Sequence, residues 1–229
     1  MEIKVLSWNI WIEGKFDEVK KFLAKSDADI VGLQEVQDDD PERDIISFLS
    51  DLGYEHVFAP ISHSWKGKKY VHGPAIFSKY KINLTKIHHL HQKEDRGAVQ
   101  ANIEVDDNVL HIFSTHLIHT HQQQSDVQEE QARNLIKALP LEKTILMGDF
   151  NATPESAAIK EISKVLVDAD TASRPTWSIY PEGCEKCNPQ KIDTRLDYIF
   201  ATPDLTTRSF EVEESTGSDH LPISVVVKI

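Results

Sequence analysis

The chain has 229 residues, of which 40% are hydrophobic, and its 37 acidic and 25 basic side chains give a formal charge of −12. This composition indicates a globular protein with enough apolar material for a core, in one large α/β domain or two small ones. The acidic charge argues against a protein that binds polyanions over a broad basic surface, although a divalent cation reverses the local field in an acidic pocket.

The lengths of the apolar runs and the number of cysteines further restrict which class of protein this is. No window approaches the roughly 18 uninterrupted apolar residues of a membrane span, so we expect none. The first ten residues read as a strand and lack the layout of a signal peptide, which predicts a cytoplasmic protein. The two cysteines, Cys184 and Cys187, are too few for a disulfide framework.

The first half of the chain alternates strand and helix patterns. Short apolar or alternating runs predict strands, and apolar residues at helical spacing predict helices. The expected strands cover residues 3–9, 30–34, 54–59, 75–78, 84–90, 98–105 and 109–115. The expected helices cover residues 15–25 and 45–52, the second ending before Gly53.

The second half continues the same pattern. We expect helices over residues 127–139 and 157–165, and strands over residues 144–147, 195–201, 208–213 and 223–228. No linker, repeat or shift of composition marks a boundary, so we predict one domain over residues 1–229. Because strands occur in both halves, the simplest architecture is two sheets packed face to face with helices outside.

The segment 144–154, TILMGDFNATP, carries the strongest chemical signal. Asp149 and Asn151 follow a buried strand and, being two residues apart, face the same way on an extended backbone. A carboxylate can accept a proton or orient a water molecule, and an amide can donate a hydrogen bond to an oxyanion. A simple turn is the alternative for these residues.

Polar side chains also stand at the ends of other predicted strands. Taken singly, each fits an ordinary role in a turn or at the surface. Together they offer hard oxygen ligands, imidazoles and amide donors, which metal-assisted hydrolysis of phosphoesters requires. This set is Asn9, Glu35, His116, Asp149, Asn151, Asp197, Asp219 and His220.

Six short motifs resemble, in order, those of the endonuclease/exonuclease/phosphatase superfamily. They are SWNI (7–10), LQEV (33–36), STHL (114–117), GDFN (148–151), LDYIF (196–200) and SDHLPI (218–223). The resemblance implies a DNase I-like fold, a four-layered sandwich of two packed mixed β-sheets flanked by helices. It also implies hydrolysis of a phosphoester by in-line attack of water, with Mg²⁺ as cofactor and Mn²⁺ as an alternative.

The resemblance assigns the acidic residues to two tasks. Glu35 matches the principal Mg²⁺ ligand, with Asn9 and Asp219 in the same metal region, where Asn9 also contacts the substrate. Asp149 matches the acid that orients or deprotonates the attacking water, and Asn151 matches the amide beside it.

The resemblance assigns the basic residues of the site to the phosphate group of the substrate. By the same resemblance, His220 matches the histidine at the scissile phosphate and Asp197 its carboxylate partner, while His116 matches a second phosphate contact. Arg96 faces the substrate phosphate in this interpretation, with a structural ion pair as the alternative. His72 is a further candidate for the cleft.

Two tryptophans bear on the substrate. Many DNA-repair members carry an aspartate where this chain has Trp11, so one carboxylate fewer is expected here. Trp11 either packs in the core or at the rim, or forms an aromatic lip on which a base stacks. Trp177 is expected at the border of the cleft, because its loop returns to the strand of Asp197.

The cysteine pair admits two interpretations. Cys184 and Cys187 have the spacing of half a zinc site, and a structural zinc requires four ligands. His116, His119 and His121 are the candidates to complete it, although His116 has a role at the phosphate. Two reduced thiols in a loop are the default expectation.

The leading functional hypothesis is a monomeric, metal-dependent nucleic-acid phosphodiesterase or endonuclease that acts locally, at an end, lesion or adduct. The alternative within the same chemistry is a phosphatase or phosphodiesterase of a small phosphoester or phospholipid head group. From other classes, the alternatives are a catalytically inactive binding module and a zinc-stabilised interaction domain.

Overall fold

The computed structural model describes residues 1–65, 67–94 and 96–229. Over this part of the chain it forms thirteen strands and four α-helices. The strands are β1 (Glu2–Asn9), β2 (Ile30–Gln37), β3 (Glu55–Phe58), β4 (Ile61–Trp65), β5 (Lys68–Ser78), β6 (Ile82–His89), β7 (Gly97–Val105), β8 (Asn108–His116), β9 (Thr144–Asp149), β10 (Val167–Asp168), β11 (Asp197–Ala201), β12 (Thr206–Val212) and β13 (Ile223–Lys228). The helices are α1 (Phe16–Leu23), α2 (Ile45–Asp51), α3 (Asp126–Ala138) and α4 (Ala157–Ile162).

The strands form two mixed sheets. One has the order β12-β13-β1-β2-β5-β3, with β4 also paired to β5, and the other has the order β10-β11-β9-β8-β7-β6. The pairs β1–β2 and β8–β9 are parallel, and the remaining neighbours are antiparallel. None of the helices in the described residues is long and apolar enough to cross a membrane.

Alternating side chains explain why the sheets stack between helices. In β1, Ile3 and Val5 lie in the core between the sheets, whereas Leu6 and Trp8 belong to a second core that includes Val19 of α1. Residues from α3 and α4 pack against the outer face of the other sheet in a third core. The predicted four layers, helix, sheet, sheet and helix, are confirmed.

Several element bounds differ from the expectations. The strands β4 and β10 were not predicted, and the strand expected at 75–78 is only the end of β5. The N-terminal part of β5 carries exposed lysines and a Gly-Pro pair, which typically mark a turn. The last helix ends at Ile162 instead of residue 165.

Gly148 permits the close approach of β9 to β8 immediately before Asp149. Its φ is +147°, and a Cβ at this position would lie 2.0 Å from the carbonyl oxygen of Thr115. The neighbouring atom belongs to the backbone of a paired strand and cannot move away as a flexible side chain does. Gly53, after α2, also has a positive φ of +89°, but a Cβ there would meet open space.

We therefore expect Gly148→Ala to lower the free energy of unfolding by more than about 4 kcal/mol, because it combines backbone strain with a steric clash. Gly53→Ala is the matched control and is expected to cost only about 1 kcal/mol, the strain of the left-handed region alone. Urea unfolding of both variants measures the difference. Equal losses would contradict the proposed close approach.

Candidate active site

The strand register brings three predicted residues into a row across one sheet. In the β8–β9 pair His116 lies opposite Asp149, and in the β9–β11 pair Asp149 lies opposite Asp197. Asn9 and Glu35 come from the other sheet, at the end of β1 and near the end of β2. The two sheets therefore deliver polar side chains to one shared edge.

Glu35 is turned towards this edge by an irregularity in β2. The pairing of β2 with β5 shifts register between Leu33 and Val36, and Glu35 there has a φ of +60°. Its carboxylate accepts hydrogen bonds from Ile12 N at 2.8 Å and from Asn9 Nδ2 at 3.1 Å. A bulge of this kind typically redirects a side chain beside a functional site.

Asn9 joins the two sheets. Its Nδ2 also donates to Asp149 Oδ2 at 3.0 Å, and its Oδ1 accepts from Trp11 N at 3.0 Å. Both amide hydrogens are thus used inside the site, one on Glu35 and one on Asp149. In this structure Asn9 positions the two acids rather than presenting a free donor.

Asp149 lies at the centre of the site and is 1% exposed. Its Oδ1 accepts from Asn151 N at 2.8 Å, while Oδ2 lies 3.4 Å from His116 Nε2 and 3.6 Å from His220 Nε2. Burial disfavours the charged carboxylate more strongly than His220 favours it, and the pKa of Asp149 is raised to about 7. Asp149 is thus an acid that can exchange a proton near neutral pH.

His220 is held as a charged imidazole. Its Nδ1 lies 2.9 Å from Asp197 Oδ2, which also accepts from Thr176 Oγ1 at 2.6 Å. Burial opposes the charge, but Asp197 and then Asp149 and Asp219 outweigh it and raise the pKa of His220 well above its usual value. His220 is therefore a proton donor in the site.

The protonation state of His116 is the opposite of that of His220. Arg96 Nη1 lies 3.1 Å from His116 Nδ1, and because a guanidinium only donates, this ring nitrogen must accept. The ring proton then lies on Nε2, facing Asp149. Burial and the charge of Arg96 hold the pKa of His116 well below its usual range, so the ring is neutral.

Asp219 and Glu35 supply further negative charge. Trp177 Nε1 donates to Asp219 Oδ2 at 3.1 Å, and burial together with the charge of Glu35 raises the pKa of Asp219 to about 6 despite His220. For Glu35, burial is outweighed by His72 and by its hydrogen bonds, so its pKa is lowered.

These residues line one cleft of about 810 Å³, with the exception of Asp197, which lies behind His220. His72, Arg96 and Trp177 all line this cleft. Trp11 also lines it and packs at the rim against Tyr180, with ring centroids 5.7 Å apart. The core position considered for Trp11 is thereby excluded.

Comparison with known proteins identifies the family of the chain. The model of the Endonuclease/Exonuclease/phosphatase family matches residues 6–220. The chain belongs to this family. Family membership supports metal-dependent hydrolysis of phosphoesters as its chemistry. No curated protein sequence matches the chain.

Solved structures share the fold along the whole chain. A family protein from Leptotrichia buccalis C-1013-b has a TM-score of 0.77 at 22% identity, covering 99% of this chain and 100% of that one. The Bacteroides thetaiotaomicron mannosyl-6-phosphatase Bt3783 has a TM-score of 0.73 at 19% identity, with coverage of 99% and 100%. D. rerio TDP2 complexed with a single-strand DNA product has a TM-score of 0.72 at 20% identity, with coverage of 100% and 99%.

The donor set of this family member fits a hard divalent cation. Glu35, Asp149 and Asp219 offer carboxylate oxygens beside the Asn9 amide, and such oxygen ligands suit Mg²⁺. Burial, and to a lesser extent the neighbouring carboxylates, raises the pKa values of Asp149 and Asp219. A bound cation stabilises such a group of carboxylates.

Thr176 and Ser218 were not predicted as site residues. Ser218 Oγ donates to Asn9 O at 2.6 Å and accepts from His220 N at 3.1 Å, which fixes the loop before β13. Thr176 reaches Asp197 from a loop 21 residues away along the chain. Hydroxyl residues in loops are too common for sequence alone to single these out.

The expectation of reduced thiols is wrong for this structure, because Cys184 and Cys187 form a disulfide. His119 and His121 lie next to it. His116 lies instead at Asp149, so it does not belong to this group.

The two histidines of the active site should titrate differently. We expect His116 to stay neutral with its proton on Nε2 and His220 to stay protonated as the pH rises past neutrality. In Asp197→Asn, the pKa of His220 should fall, because its strongest stabilising charge is removed. Ring ¹⁵N NMR titration measures both.

Asp107→Asn, in the exposed turn between β7 and β8, is the matched control and should leave both ring titrations unchanged. An unshifted His220 in Asp197→Asn would contradict the assigned pair.

Proposed function

We propose that this family member is a Mg²⁺-dependent phosphodiesterase that acts on nucleic acid locally, at an end, lesion or adduct, as a cytoplasmic monomer. The observation that carries the proposal is the placement of Asp149 between a neutral His116 and a charged His220. A carboxylate that can accept a proton, with a neutral N–H donor on one side and a charged proton donor on the other, serves the attack of water on a phosphoester.

Glu35, Asn9 and Asp219 are the residues that would hold the ion. When bound, Mg²⁺ supplies positive charge that stabilises the oxygens of the phosphoryl group during in-line displacement. His72 lies beside Glu35 and lowers the pKa of that carboxylate, which keeps the ligand ionised.

Asp149 is the proposed base for the attacking water. Its pKa of about 7 matches the requirement for proton transfer near neutral pH. The Asn151 backbone amide at 2.8 Å and side-chain amide at 3.3 Å fix the carboxylate orientation. Since the other amide hydrogen of Asn151 reaches Leu117 O at 3.0 Å, its role in this arrangement is to position Asp149.

His220 is the proposed donor to a phosphoryl oxygen or the leaving oxygen. Asp197 and Thr176 hold the ring through Nδ1 and leave Nε2 towards the cleft side, where Asp149 lies. His116 adds a neutral N–H through Nε2, and Arg96 adds a fixed charge behind it. Together these groups surround the place where negative charge develops.

The charge distribution favours a short contact with nucleic acid. The lysine and arginine side chains that line the cleft are Lys93, Arg96 and Lys186, which add to the charge of His220 on a protein of net charge −12. Trp11 and Tyr180 at the rim offer an aromatic surface on which one base can stack. These features suit a nucleic-acid end better than a long duplex.

Hydrolysis of a small phosphoester is the second candidate. A cleft of about 810 Å³ falls in the range that encloses small ligands. The similar fold of a mannosyl-6-phosphatase is consistent with a substrate of this size.

A substrate panel tests the proposal directly. Single strands, duplexes with abasic sites, 5′-tyrosyl ends, inositol phosphates and sugar phosphates are incubated with Mg²⁺, Mn²⁺ or a chelator. We expect divalent-dependent cleavage of nucleic-acid substrates and none with chelator. Hydrolysis of small phosphoesters alone would select the second candidate, and no hydrolysis of any substrate would indicate a binding module.

Substitution of the acid/base groups should reduce turnover. His220→Ala and Asp149→Asn are each expected to lower kcat by at least about 10²-fold, the typical loss on removing such a group. His89→Ala on β6 and Asp107→Asn, both exposed, are the matched controls and should retain wild-type rates. Near-native turnover in either active-site variant would refute its assigned role.

The salt dependence of binding distinguishes a local contact from an extended one. With Lys93, Arg96, Lys186 and the charged His220 in the cleft, the logarithm of the binding constant for a single strand should fall with the logarithm of the salt concentration at a slope no steeper than about −3. Fluorescence titration of an oligonucleotide with Asp149→Asn measures this slope. Lys93→Ala should flatten it, and Lys137→Ala, exposed on α3, should not.

A slope steeper than about −4 would indicate contacts with six or more phosphates and contradict the local mode.

A further inference from the structure

A second group of potential metal ligands lies at the edge of the cleft. His119 and His121 follow β8, and Cys184 and Cys187 lie in the loop between residues 178 and 194. One ligand atom from each of the four lies within 4.8 Å of all the others. The group consists of two imidazoles and two sulfurs, a set that occurs in structural zinc sites.

The five distances that involve a histidine nitrogen are those of a tetrahedral zinc site, while the two sulfurs are bonded to each other in this structure and must separate on reduction. With Zn–N of about 2.0–2.1 Å and Zn–S of about 2.3 Å, ligands lie about 3.3 Å apart for two nitrogens and about 3.6 Å for nitrogen and sulfur. Here His119 Nε2 and His121 Nδ1 are 3.1 Å apart. His121 Nδ1 lies 3.4 Å from each sulfur, and His119 Nε2 lies 3.6 Å from each.

The surroundings of the ligands support binding of a metal. The backbone N–H of Cys187 points at Cys184 Sγ at 3.1 Å, which stabilises negative charge on that sulfur. The outer nitrogen of His119, Nδ1, lies 2.7 Å from Asn151 Oδ1 and donates to it when Nε2 is a ligand. A ligating histidine typically donates its other N–H in this way, which fixes the ring.

We propose that His119, His121, Cys184 and Cys187 form a structural Zn²⁺ site in the reduced protein. The site is closed by four protein ligands and so leaves no position for a substrate. It ties the cysteine loop to the segment after β8 and holds His119 against Asn151, which in turn contacts Asp149. The inference is independent of the proposed hydrolytic function.

Zinc binding requires the disulfide to be reduced. A reductant supplies two electrons and converts the disulfide to two thiols. Two thiol molecules also supply the two protons and become a disulfide, whereas with a phosphine the protons come from a water molecule whose oxygen ends in the phosphine oxide. Zn²⁺ then binds the two thiolates and the two neutral imidazoles, and the two thiol protons are released. Disulfide and zinc are therefore mutually exclusive states of the same four residues.

The experiment measures zinc and thiols in the same sample. The full chain is reduced with a phosphine, loaded with Zn²⁺ and desalted, and its zinc content is determined by mass spectrometry alongside a thiol titration. We expect about one zinc per chain in the wild type. The double variant Cys184→Ser/Cys187→Ser and the variant His121→Ala should retain no more zinc than a chelator-treated wild type.

Two matched variants distinguish this site from the catalytic carboxylates. Glu35→Gln removes an acid of the cleft, and His89→Ala removes an exposed histidine on β6; both should keep one zinc per chain. Loss of zinc in Glu35→Gln, or zinc retained without the two cysteines, would overturn the proposal. A reduced wild type that binds no zinc would also overturn it.

A spectroscopic test with Co²⁺ uses the wild type and therefore does not depend on whether a variant folds. Co²⁺ loaded into the reduced wild type should show the strong visible absorption of tetrahedral coordination with thiolate charge transfer. Addition of Zn²⁺ should abolish this spectrum. A weak spectrum typical of six oxygen ligands would place the ion at the carboxylates and contradict the four-residue site.

Discussion

The structure depends on keeping one carboxylate, Asp149, buried between two histidines of opposite character. Burial alone would keep this acid protonated, and the charged ring of His220 opposes that tendency, so the pKa of Asp149 is raised only to about 7. His116 does not add a second positive charge, because burial and the charge of Arg96 beside its Nδ1 hold its pKa well below the usual range. The site thus carries a proton-exchanging acid in a largely water-excluded position.

This arrangement requires both sheets. Asp149, His116 and Asp197 are aligned by strand register within one sheet, whereas Asn9 and Glu35 come from the other. The hydrogen bond from Asn9 to Asp149 crosses between the sheets, so a shift of one sheet against the other changes the geometry at Asp149. The packing between the sheets therefore serves the chemistry as well as the stability of the fold.

The two proposed metal sites differ in the softness of their ligands. Carboxylates and an amide at Glu35, Asp219 and Asn9 suit a hard cation, whereas thiolates and imidazoles at the cysteine loop suit zinc. Asn151 touches both regions, through Asp149 on one side and His119 on the other. A structural zinc would thus stabilise the amide that orients the proposed base.

The sequence alone determined the two packed sheets and the polar residues of the site, because strand alternation and strand-end motifs are local patterns. It did not predict β4, β10 or Thr176, and it named His116, His119 and His121 as candidates to join the cysteines without showing which of them lie there. Those depend on loops that return from distant parts of the chain, and local patterns carry no information about where a loop returns. The same holds for the protonation of His116 and His220. The sequence shows only two histidines near strand ends, and the tertiary structure decides which ring is charged, through burial beside Arg96 for His116 and through Asp197 for His220.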